Sequence, residues 1–244
     1  MDFQLEICAN SIQSALAAQA GGATRIELCD NMTEGGTTPS YGMISLCKKL
    51  LQIPVFPIIR PRGGDFLYTD EEFEVMKQDV IACRNLGCDG VVLGILNADG
   101  SIDTERCAQL IALARPMQVT FHRAFDRCND LEKGLEVIIA LGCERVLTSG
   151  GKRYAVDAIL ILKQLVQQAT GRIHILIGSG VNTENIALLA KETGATEFHS
   201  TAKISWASKM IYRPDNELGQ ADLNTAIQES SEELVRKMRQ ELGF

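Results

Sequence analysis

Short apolar runs alternate with longer amphipathic stretches along the whole chain, and one punctuation returns four times. A helical pattern stops at Gly followed by Ala or Cys, two more residues pass, and a strand-like run begins. The copies read Gly22-Ala23-Thr24-Arg25, Gly87-Cys88-Asp89-Gly90, Gly142-Cys143-Glu144-Arg145 and Gly194-Ala195-Thr196-Glu197. They lie about two βα units apart, at roughly 30 residues per unit. Further strand-like runs fill the gaps: Phe3 to Cys8, Val55 to Ile59, Met117 to Phe121 and Ile173 to Ile177. Eight strands alternating with helices predict parallel pairing through right-handed crossovers.

A 244-residue chain without a break in composition suits closure into a single-domain (βα)8 TIM barrel of about 250 residues, with a doubly wound sheet as the alternative. The barrel is assigned to residues 1–213. Residues 214–244 read as a C-terminal extension whose amphipathic helix, from Asp222 to about Leu242, packs on the first helix or at a subunit boundary. Asn182 reads as the N-cap of an earlier helix. Two segments exceed ordinary βα loop lengths, Asp30 to Gly42 and Pro61 to Asp70, and both follow strands on the face where such barrels carry their sites.

Composition narrows the partners. With 24 Lys+Arg against 31 Asp+Glu, the net charge of −7 opposes nucleic acid and anionic membrane surfaces. No run approaches the roughly 18 apolar residues of a spanning helix, and the N-terminus lacks a basic leader, so the expected location is cytoplasmic. The eight cysteines are scattered without Cys-x-x-Cys spacing and are expected as free thiols, six of them packing as small hydrophobes.

The strand ends gather the candidate chemistry. Glu6-Ile7-Cys8 and Glu27-Leu28-Cys29 share a Glu-x-Cys pattern, and strand alternation turns Glu and Cys inward while Leu5, Ile7, Ile26 and Leu28 face the helices. Glu6, Glu27, Arg60, His122 and His199 converge on one mouth as candidate catalytic groups: Arg holds an anion, and Glu or His moves protons. Interior Glu–Arg pairs can equally satisfy one another. Ser149 and Gly150, with Gly178-Ser179-Gly180, resemble the glycine cradle that holds phosphate or another anion through backbone N–H groups. Cys8 and Cys29 form the candidate metal pair, because thiolates favour Cu(I) and adjacent strands can bring both sulfurs to one point; Met32 offers a thioether. Packing alone is the alternative for both cysteines.

The stretches Arg25-Ile26-Glu27-Leu28-Cys29, Glu34-Gly35-Gly36-Thr37-Thr38-Pro39-Ser40, Ile59 to Tyr68, Val119 to Asp126 and Glu197-Phe198-His199-Ser200 together resemble the CutC family. The resemblance spans about residues 3–213. It implies a cytoplasmic (βα)8 barrel, a homo-oligomer, and a part in copper homeostasis, with Cu(I) held by cysteines matching Cys8 and Cys29. Two functions are therefore carried forward. The first is copper binding through Cys8 and Cys29, with Glu6 and Glu27 beside them. The second is an enzyme acting on a small anionic or phosphorylated metabolite through Arg60, Glu27 and His122.

Overall fold

The computed structural model describes residues 3–211 and 227–243. Eight parallel strands alternate with helices: β1 Gln4–Ala9, α1 Ile12–Gly21, β2 Arg25–Leu28, α2 Tyr41–Leu50, β3 Val55–Pro57, α3 Asp70–Asn85, β4 Gly90–Leu93, α4 Thr104–Ala114, β5 Gln118–Phe121, α5 Leu131–Leu141, β6 Arg145–Thr148, α6 Ile159–Ala169, β7 His174–Ile177, α7 Ile186–Thr193 and β8 Glu197–Ser200. The strands pair in the order β3-β2-β1-β8-β7-β6-β5-β4. Between the two end strands, Ile58 bridges Val92, Ile59 N–H donates to Val92 O at 2.8 Å and Asp89 N–H to Val55 O at 3.2 Å. The ring closes there, and the (βα)8 barrel stands in place of the open doubly wound sheet.

The recurring Gly-Ala/Cys punctuation has a local cause. Gly22, Gly142 and Gly194 end α1, α5 and α7 in the left-handed region, at φ of 89°, 79° and 75°. Ala23, Cys88 and Cys143 then donate N–H to the carbonyls of Ala18, Cys83 and Ile138. This backbone closure needs a residue without a Cβ at the turn and a small apolar one after it. The helix starts are set by side chains: Ser11, Ser40, Asp103 and Asp130 each accept from an amide of the first turn, and Thr69 with Glu72 forms a capping box.

Inward and outward faces separate as alternation requires. Leu5, Ile7, Ile26 and Leu28 belong to the large core between strands and helices, whereas Cys8, Cys29, Phe56, Ile58 and Val92 form a separate cluster inside the barrel. Below the cysteines the interior is ionic. Arg25 bonds to Glu6 and, at 2.7 Å, to Glu197, and Arg145 donates to Glu197 at 3.0 Å. The Phe56 ring lies 5.4 Å from each guanidinium, so two buried cations share two carboxylates and one aromatic face.

Two expectations need correction. Asn182 does not cap α7: the helix begins at Ile186 after Asn185, and Asn182 instead accepts from Glu184 N–H in the preceding turn. The final helix, α8, runs Glu232–Glu241 with Ser231 as N-cap; Asp222 lies outside the described residues. Ile227–Ser230 is a strand, β10, antiparallel to β9 at Lys203–Trp206. Ser230 explains the break, because its N–H donates to Ser14 and its hydroxyl to Thr201 O, both bonds leading away from a helix. α8 lies across α1 where Gly21 lets the two backbones meet: a Cβ there would sit 2.6 Å from Val235 Cβ and 2.7 Å from Glu232 O.

Candidate functional site

Three sulfurs meet at the top of β1 and β2. The Sγ atoms of Cys8 and Cys29 are 3.1 Å apart, and Met32 Sδ lies 3.6 Å from the first and 3.0 Å from the second. A disulfide would need about 2.05 Å, and both cysteines are free thiols. Parallel pairing puts Cys8 opposite Glu27, one position from Leu28 opposite Ala9, so the two Glu-x-Cys motifs stack with their thiols in contact. Met32 arrives on the loop after β2, folded back by the Asp30–Thr37 bridge. Gly36, at φ 91°, closes this loop over Cys29, a conformation that strains any residue with a Cβ. The hydrogen bond to Cys29, burial and the Glu27 charge all push the Cys8 thiol well above its ordinary pKa, so a metal entering here displaces a proton.

Glu27 and His199 form the neighbouring ion pair, with Nε2 to Oε2 at 2.7 Å. Burial opposes both charges, yet the attraction and hydrogen bond between them prevail: the Glu27 carboxyl falls below its usual value and the His199 imidazole rises above its own. Cys8, Glu27 and His199 present ligand atoms that all lie within 4.8 Å of one another. Glu6 is committed elsewhere. Fully buried, it takes its hydrogen bond from Arg25, and its Oε1 stands 3.8 Å from His199.

Arg60 and His122 follow β3 and β5, and Arg60 lies against the loop that carries Met32. The Arg60 guanidinium donates to the carbonyls of Glu34, Gly36 and Gly64. His122 Nδ1 accepts from Ala124 N–H at 3.2 Å, and burial followed by the nearby Arg60 charge lowers its pKa to about 3. Phe66 touches both, its ring 4.9 Å from the imidazole centre and 5.1 Å from the guanidinium.

The glycine turns fare differently from the cradle expected of them. At the turn after β6, the Asp126 carboxylate accepts from the amides of Ser149 and Gly151 and from the hydroxyls of Thr148 and Ser149, while Gly150 N–H goes to Thr148 Oγ1. These donors are satisfied from within the chain. At the second turn the Ser179 hydroxyl donates to Arg153 O, and Ser179 and Gly180 line a cavity with Glu27, Arg60, His122 and His199. Asp126 and Phe66 fall within the family-like stretches, but their roles come from partners elsewhere in the fold: Asp126 reaches the turn after β6 and Phe66 the His122 ring just after β5.

A closed ring of eight parallel strands, with a mouth that holds soft sulfur donors beside a buried ion pair and an arginine, defines a TIM-barrel protein whose polar groups gather at the C-terminal face. The CutC family pattern matches residues 3–204, and the chain belongs to that family. A CutC family protein of Chromobacterium violaceum is 51% identical over 244 residues, covering 99% of each chain. A copper homeostasis protein cutC homolog of Mus musculus is 50% identical over 211 residues, 86% of this chain and 78% of its own. A solved CutC structure from Streptococcus agalactiae superposes with a TM-score of 0.79 at 37% identity, covering 82% of this chain and 98% of that one.

Proposed function

We propose that this chain binds Cu(I) at Cys8 and Cys29, with Met32 as a third sulfur, and takes part in copper homeostasis in the cytoplasm. The observation that carries the reading is the sulfur triangle, with sides of 3.0 to 3.6 Å. Two thiols and a thioether form a donor set that selects a soft monovalent copper ion over Mg2+, Ca2+ or Mn2+. The alternative trio of Cys8, Glu27 and His199 suits a borderline ion such as zinc, but engaging it separates the carboxylate and imidazole now joined at 2.7 Å and leaves two buried charges to be re-satisfied. The sulfur set makes no such demand. Relatives named for copper homeostasis, about half identical over most of the chain, support the same reading.

Binding is tested by titrating the reduced protein with Cu(I) against a chromophoric chelator. One ion per chain is expected, with uptake abolished in Cys8→Ser plus Cys29→Ser. Met32→Leu, which removes only a thioether, is expected to weaken uptake about tenfold. Unchanged uptake in the double cysteine variant would remove these residues as ligands. Preference for zinc, lost in His199→Gln, would move the metal to the mixed trio.

A further inference from the structure

Two buried N–H groups at the mouth lack partners. Among the described residues Arg60 has no carboxylate opposite it: the Nη atoms are tied to three backbone carbonyls, the neutral Tyr68 hydroxyl meets the guanidinium, Nε makes no close hydrogen bond, and the residue is 4% exposed. A buried cation with no counter-charge is costly, and an unsatisfied buried donor points to a catalytic role or to a bound water or ion. His122 is the second case. Because its Nδ1 accepts from Ala124 N–H, the ring proton of the neutral imidazole resides on Nε2, and that buried donor also has no partner.

We propose that the barrel mouth is a binding site for a small organic carboxylate, its charge taken by Arg60 and one oxygen by the Nε2–H of His122, with Arg123, itself paired to Asp126 at 2.7 Å and bonded to Ser149 and Ser179, at the rim. All three residues line the same cavity of about 260 Å³. At ~30 Å³ per liquid water that is the room of roughly nine waters, enough for a compound of a few carbons. Met32, Ile58, Phe66, Leu147 and Val181 supply an apolar wall, which suits a short carbon body behind the charged end. The chemistry favours a carboxylate over a phosphate. The amides of Ser149 and Gly151 that would cradle a phosphate are already bonded to Asp126. What remains is guanidinium N–H and one imidazole N–H, a set that matches a planar two-oxygen anion. His122 keeps its single-proton form throughout the neutral range. The site needs no metal, although Cys8 and Met32 of the sulfur triangle line the same cavity.

The full chain, labelled with 15N-histidine, is titrated with 2-oxobutanoate, with the methyl ester of 2-oxobutanoate, and with glycerol phosphate. The His122 Nε2–H resonance is expected to shift with 2-oxobutanoate alone, and the Kd to rise about tenfold in Arg60→Met. Since Arg60 also holds three carbonyls, Arg123→Gln is measured beside it: its side chain is 41% exposed, its partner Asp126 keeps the donors of Thr148, Ser149 and Gly151, and a severalfold weakening is expected from it. A resonance that ignores 2-oxobutanoate at about 10 mM, or answers the ester equally, overturns the proposal. Binding of glycerol phosphate in place of the carboxylate overturns it as well.

Discussion

At the scale of single residues, the interior of this barrel sorts its charged groups by depth. Glu6 and Glu27 occupy equivalent positions in the two Glu-x-Cys motifs, yet Glu6 bonds downward to Arg25 while Glu27 faces His199. The difference makes Arg25 the keystone of the lower layer, because among the described residues it alone joins Glu6 to Glu197. Replacing it by Met leaves a carboxylate buried without its cation, a change that costs about 3–5 kcal/mol. A urea melt of Arg25→Met is expected to show that loss in its midpoint with an unchanged slope; a loss below about 1 kcal/mol would mean that Arg145 alone neutralises the layer. The inward direction of both Glu-x-Cys motifs is legible in the sequence, since it needs only strand alternation. The depth of each carboxylate is not, because it depends on which arginine of another unit sits at the same height.

At the scale of elements, the four Gly-Ala/Cys turns can be read from the sequence because each is a local device: the residues that end the helix also close it. The β9–β10 pair cannot. Its partners, Lys203–Trp206 and Ile227–Ser230, are short and lie far apart in the chain, and the acidic and serine-rich stretch leading to α8 has the look of one longer helix. The contact between α1 and α8 is equally non-local and rests on Gly21. Ala at a helical position is intrinsically better than Gly by about 1 kcal/mol. Here the added methyl would press on Val235 and on the Glu232 carbonyl at under 3 Å, and forced overpacking costs about 1–3 kcal/mol. Gly21→Ala is therefore expected to lower the melting temperature despite its propensity gain. A raised melting temperature would show that α8 yields freely.

For the whole molecule, two histidines of opposite behaviour set the pH of greatest stability. His122 has a folded pKa of about 3 against an ordinary 6.5. Between those values the unfolded chain holds a proton that the folded one refuses, so stability rises with pH up to about 6.5. His199 is shifted upward by Glu27, against the burial that opposes it. From about 6.5 to its raised value the folded chain holds a proton that the unfolded one has released, and stability falls with pH. Glu27, shifted downward, adds a further loss once the pH drops below its ordinary value of 4.5. Chemical denaturation across this range is expected to give a maximum near pH 6.5. The alkaline limb should flatten in His199→Gln and the acid limb in His122→Gln; limbs unaffected by both variants would assign the profile to other groups.

The Asp126 carboxylate seated in the turn after β6 has a consequence for how barrels of this shape are sorted. A search that files proteins as phosphate users by their glycine turns would include this chain, although the turn after β6 is filled by an acid of its own. The chain thus carries its own surrogate for an inorganic ion at that turn.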